Sequence, residues 1–143
     1  MKLYFDTAYI AKCYLNEADS AAVRKLAYDS AGLVSSCWCV PEMACVFQRQ
    51  IREFKVPSAQ ILRARELFLN DIQSGVWLLL PISEQFLFRV ASLINAAPAY
   101  PFLRAGDAIH LVAAMEAGFT EIWSNDRRVL QAAPAFGLSG KSV

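Results

Sequence analysis

Apolar positions along the chain follow two different spacings, and each spacing marks a different kind of element. Residues 2–5 form a short apolar and aromatic run that stops at Asp6, as a buried strand does. Ile10, Ala11, Tyr14 and Leu15 then recur at helical spacing, and Val23, Leu26 and Ala27 share one face of a second helix over residues 19–30. Residues 32–36 read as a second strand. Pro41, at a first helical position, opens a helix whose Met43, Val46, Phe47, Ile51 and Phe54 repeat at three and four. After a break at residues 55–58, Ser58 is the expected N-cap of a long helix with Ile61, Leu62, Phe68, Leu69 and Ile72 inward.

Gly75 ends that helix. Residues 76–80 are a continuous apolar strand, of the kind found in a parallel sheet covered on both faces. Ser83 and Glu84 start a helix carrying Phe86, Val90, Leu93 and Ile94, and Pro98 and Pro101 mark a loop. Residues 106–117 are helical and Gly118 closes them. Residues 121–124 form a fourth strand, and residues 126–133 a last helix before Pro134 and Gly137. Strands alternating with helices of this length predict an α/β fold: a three-layer α/β/α sandwich around a mainly parallel sheet of four or five strands. Without internal repeats, low-complexity segments or linkers, residues 1–143 are expected to form a single domain.

Composition narrows the class. The apolar share is 56% and the charged share 19%, against a typical charged share of ~25%, which excludes a disordered chain. Basic and acidic residues number 14 and 13, so there is no polybasic tail for nucleic acid. The strongest apolar run, residues 76–82, is far short of the ~20 residues of a membrane span. Lys2 is followed at once by Asp6, leaving no signal-peptide core, so a cytoplasmic protein without membrane association is expected. Cys13, Cys37, Cys39 and Cys45 do not have zinc-knuckle spacing and read as small apolar packing residues. His110 is the one histidine, which excludes a His-rich metal site, and it reads as a hydrogen-bonded packing residue on an apolar helix.

Four carboxylates occupy corresponding places. Asp6 ends the first strand, Glu42 lies in the first turn of the helix after the second, Asp107 in the first turn of a later helix, and Asp126 just after the fourth strand. Singly, each is an ordinary helix cap that complements the helix dipole. In an open parallel sheet, however, the carboxyl ends of the strands face one edge, where ligands bind, so the four acids are expected to converge there. Clustered carboxylates repel unless a cation compensates, and oxygen ligands suit Mg²⁺ or Mn²⁺.

The segments Leu3-Tyr4-Phe5-Asp6-Thr7, Val40-Pro41-Glu42-Met43-Ala44, Arg104-Ala105-Gly106-Asp107-Ala108-Ile109-His110 and Ser124-Asn125-Asp126-Arg127 resemble, in order, the successive motifs of PIN domains. The likeness is to the VapC-type toxins of toxin–antitoxin modules and covers almost the whole chain. It implies a Mg²⁺- or Mn²⁺-dependent endoribonuclease acting as a toxin, with Asp6, Glu42, Asp107 and Asp126 as the acidic quartet. Asp6, Asp107 and Asp126 are then expected to hold the ion. Glu42 is expected to orient or deprotonate the attacking water, or to help hold a second ion. Thr7, Ser124 and Asn125 are implied as groups that hold carboxylates or ligand water. Gly106, where a larger apolar residue is common, and Cys45 depart from the family pattern.

Arg104, three residues before Asp107, is the candidate phosphate contact at the same edge. The resemblance also implies a small VapB-like antitoxin, and the apolar excess leaves surface for it and for a homodimer. The competing class is a catalytically weak PIN-like module that binds RNA or protein. Phosphoryl transfer through Asp6 is disfavoured because Ala8 stands where such enzymes carry a second acid. Removing the four site acids from the 13 acidic residues leaves 9 against 14 basic ones, so a near-neutral total hides an anionic notch in a basic body.

Overall fold

Parallel pairing joins every strand named below. The computed structural model describes residues 1–97 and 103–143, so the loop expected at Pro98 and Pro101 lies outside the described residues. In chain order the elements are β1 (Lys2–Tyr4), α1 (Thr7–Tyr14), α2 (Ser20–Asp29), β2 (Gly32–Ser36), α3 (Cys39–Arg52), α4 (Ser58–Gln73), β3 (Trp77–Leu80), α5 (Glu84–Ala96), α6 (Ala105–Glu116), β4 (Glu121–Trp123), α7 (Arg127–Ala132), a 3₁₀ turn (Ala133–Phe136) and β5 (Ser139–Lys141). β2 lies between β1 and β3, with Leu3 opposite Leu33 and Val34 opposite Leu78. β4 pairs with β5, and a bridge from Phe5 to Trp123 joins the two sheets edge to edge. The resulting order is β3-β2-β1-β4-β5, and the connections leave β1 toward β2 on one side and reach β4 on the other.

Strand periodicity divides the core in two. Tyr4 and Val34 point into a cluster with Phe86, Val90, Leu111, Val112, Ile122, Val129 and Phe136, beneath α5, α6 and α7. Leu3, Phe5 and Leu33 point the other way, onto Ile10, Val23, Met43, Phe47, Ile61 and Phe68 from α1 to α4. Successive side chains of a strand leave opposite faces, so three residues of β1 and its extension serve both layers. α6 is buried without interruption from Asp107 to Ala114, and this places polar groups of its first turns inside the protein.

Several expectations need correction. α3 starts at Cys39, so Pro41 is its third residue; the first-turn N–H groups have no intrahelical partner, so proline fits there equally well. Pro57, not Ser58, stands at the N-cap of α4, and Ser58 is already helical. Leu62 and Leu69 are exposed, and the inward face of α4 is carried by Ile61 and Phe68. Phe54 falls beyond α3 and is also exposed, with the Arg49 guanidinium 5.5 Å from its ring centroid. β3 is an edge strand and is not covered on both faces: Leu78 is 53% exposed. β5 has no counterpart among the strands expected from the sequence. Its residues, Ser-Gly-Lys, have no apolar signature, and Gly140 admits close packing, since a Cβ there would lie 2.9–3.0 Å from Leu130 atoms. All four cysteines are free, and Cys45 is exposed, unlike the packing role expected of it.

Candidate active site

β1 and β4 are neighbours at the point where strand order reverses, the place where open α/β sheets form a crevice at their carboxyl ends. The Asp6 N–H reaches across to the Trp123 carbonyl at 3.2 Å, fixing the two strand ends together. Asp6 is the N-cap of α1, and its Oδ1 accepts the Tyr9 N–H at 3.0 Å. Ser124, fully buried after β4, donates its hydroxyl to Asp6 Oδ2 and accepts the Asp126 N–H at 2.9 Å. One serine thus links two of the acids. Asp126 caps α7 through the Arg128 N–H at 2.9 Å.

Asp107 enters from the first turn of α6 and is also buried. Arg104, at the N-cap of the same helix, spans two acids: Nε donates to Asp107 Oδ2 at 3.2 Å and Nη2 to Asp126 Oδ2 at 3.1 Å. The guanidinium is 61% exposed, so it covers the acids from the solvent side.

Glu42, in the first turn of α3, belongs to a second set of contacts. Its Oε1 accepts the Thr7 hydroxyl at 2.7 Å and lies 2.7 Å from His110 Nε2. His110 is buried one turn beyond Asp107, and its Nδ1 lies 3.0 Å from the Tyr4 hydroxyl. Thr7 follows Asp6 directly and so ties the two sets together. Asn125, the remaining supporting residue expected from sequence, is exposed and lines a groove between α1 and α3 with Ala8, Val46, Arg49 and Phe54.

The environments of the acids differ in sign. Burial raises Asp6 from its ordinary 3.8 to about 6, and the neighbouring Asp126 adds to the rise. His110, Ser124 and the Tyr9 N–H offset only part of it. Burial also opposes ionisation of Glu42, but hydrogen bonds from His110 and Thr7 and the charge of Arg104 outweigh it, and its pKa is lowered. Tyr4 is pushed well above the usual phenol range, by burial first and by Asp6 second.

Among the described residues, no three His, Cys, Asp or Glu side chains stand together as a ready ligand set. The chemistry of the donors nevertheless fits a hard divalent cation. They are carboxylate oxygens, including those of the buried Asp6 and Asp107, and a guanidinium already spans Asp107 and Asp126. On an apolar helix His110 has the pattern of a packing residue, and its contact with Glu42 comes from the tertiary structure. The one available signal was the Asp107-x-x-His110 spacing, which puts both on one face of α6.

Among the described residues, no helix is long and apolar enough to cross a membrane. No curated protein matches the chain. Among solved structures, VapC20 of Mycobacterium tuberculosis, described as a toxin cleaving the sarcin–ricin loop, superposes with a TM-score of 0.70. The match covers 91% of this chain and 94% of that one at 13% sequence identity, a likeness of fold. The family model of the PIN domain matches residues 3–135, from β1 into the 3₁₀ turn and across every element that carries a site acid. By that match the chain belongs to the PIN domain family.

Proposed function

We propose that the protein is a VapC-type toxin: a single PIN domain over residues 1–143 that hydrolyses RNA phosphodiester bonds in the cytoplasm with Mg²⁺ or Mn²⁺. The observation that supports this reading is the chain of side-chain links at the junction of β1 and β4: Ser124 bonds Asp6 and the Asp126 N–H, Arg104 bonds Asp107 and Asp126, and Thr7, next to Asp6, bonds Glu42. Asp6, Asp107 and Asp126 would hold the cation. When bound, the cation supplies charge neutralisation at the phosphate and a more acidic water.

The chain's own groups do the rest. Glu42, kept anionic and oriented by Thr7 and His110, would take the proton of the attacking water. Arg104 is exposed enough to turn from the acids to a phosphate oxygen of RNA, where a guanidinium makes paired hydrogen bonds. Ser124 keeps Asp6 and Asp126 apart at a fixed spacing. Exposed Leu62, Leu67 and Leu69 on α4, and Leu87 and Phe88 on α5, support a homodimer and a small antitoxin partner, since each is apolar surface left in water.

Incubating purified protein with total cellular RNA, with Mg²⁺ or Mn²⁺ and with chelator, and mapping the cut ends tests this. Chelator-sensitive cuts that disappear in Asp107→Asn and Glu42→Gln, at unchanged folding stability, are expected. Binding of RNA without any cut would leave a binding module instead.

A further inference from the structure

Gly106 stands in the first turn of α6 beside the Glu42 carboxylate, and its surroundings give a reason for glycine there. The backbone there is ordinary helix in the first turn of α6, so nothing in φ demands glycine. Glycine is also a poor helix former. A Cβ at this position, however, would stand 2.8 Å from Glu42 Oε2, with Trp38 Nε1 at 3.5 Å. The missing side chain is the space in which the Glu42 carboxylate lies.

The other oxygen of that carboxylate accepts the Thr7 hydroxyl at 2.7 Å and meets His110 Nε2, which lies 3.0 Å from the same hydroxyl. A carboxylate only accepts, so His110 Nε2 carries the hydrogen in their 2.7 Å contact. In the neutral ring Nδ1 is then the acceptor, and the Tyr4 hydroxyl 3.0 Å away is its donor. Tyr4 is fully buried in β1, packed edge-on against His110, and its hydroxyl has this ring as a fixed partner. In that tautomer the line from Tyr4 through His110 to Glu42 runs in one direction.

We infer that Gly106, His110 and Tyr4 are positioning residues for Glu42: glycine leaves room for Oε2, and the tyrosine sets the histidine tautomer that grips Oε1. This deepens the nuclease reading and rests on it for the activity arm of its test. A carboxylate displaced by about 1 Å from a reacting water loses up to ~10²-fold in rate.

The experiment compares wild type, Gly106→Ala, Tyr4→Phe, Glu42→Asp and the Gly106→Ala/Glu42→Asp pair. It measures kcat and KM on a cleaved RNA, thermal unfolding, and the ¹⁵N and ¹H signals of the His110 ring by NMR. In Gly106→Ala, kcat falls about 10-fold or more with KM within twofold, the melting temperature holds or rises, and the Nε2–H signal moves. Tyr4→Phe shifts the tautomer signals of His110 and lowers kcat without moving KM. Aspartate is one methylene shorter, so Glu42→Asp costs less when Gly106→Ala is already present than in wild type. An unchanged Nε2–H signal with unchanged kcat in Gly106→Ala overturns the inference, and so do additive costs in the pair. If wild type cuts no RNA, the nuclease reading fails alone, and the ring signals still decide whether Gly106 and Tyr4 hold Glu42.

Discussion

Asp6→Asn should make the protein more stable, and by an amount that depends on pH. The side chain is 3% exposed and its carboxyl titrates at about 6, against 3.8 ordinarily. Between those two values the folded state holds the proton more tightly than the unfolded one, so stability falls as pH rises through the window and levels off above it. At 1.36 kcal/mol per pH unit, the gap corresponds to at most about 3 kcal/mol at pH 7. That is a large part of a typical total of ~5–15 kcal/mol. Asparagine keeps the shape, its Oδ1 still accepts the Tyr9 N–H, and its amide faces a Ser124 hydroxyl that is free to turn and accept. Urea unfolding of both proteins in chelator, from pH 3.5 to 8, reads the difference. The variant should exceed wild type by roughly 2–3 kcal/mol above pH 7, and the two should converge below pH 4. A variant less stable than wild type at pH 7.5, or a difference that does not change with pH, would refute the reasoning. A divalent cation should recover the loss in wild type and less of it in the variant, because a bound cation relieves the buried charge.

Other perturbations separate the parts of the site. Ser124→Ala removes the hydroxyl that offsets the burial of Asp6, so the acidic limb of the pH–rate profile should move upward, with a stability cost of ~1–3 kcal/mol by urea titration. Arg104→Ala breaks two ion pairs of a largely exposed guanidinium and should change unfolding by under ~1 kcal/mol, while raising KM for RNA about tenfold in steady-state kinetics. Leu111→Ala, in the fully buried face of α6, should cost ~2–5 kcal/mol at every pH in a thermal or urea melt, unlike the changes at Asp6.

The strand ends and helix starts were readable because each carries its own local signal. Asp6 and Asp126 follow apolar runs and cap helices, Ser83 caps α5 as its spacing predicts, and Gly75 and Gly118 take the left-handed backbone that ends a helix. Outward leucines on α4 were misplaced for the opposite reason: leucine at helical spacing looks the same whether a neighbouring element covers it or not. β5 escaped because its place in the sheet depends on Leu130 packing over Gly140, a contact with no trace in a three-residue polar strand.

Sequence alone determined which acids stand at strand and helix ends, because alternation and capping are decided within a few residues of the chain. Only the tertiary structure decided what each acid faces. Strand order β3-β2-β1-β4-β5 brings Asp6 against Ser124, 118 positions away, and sets Glu42 on His110, 68 positions away. Burial at that junction pushes the Asp6 carboxyl up in spite of Ser124, while His110 and Thr7 pull the Glu42 carboxyl down, because desolvation and hydrogen bonding depend on neighbours in space. The near-neutral total charge of the chain carries no record of that division.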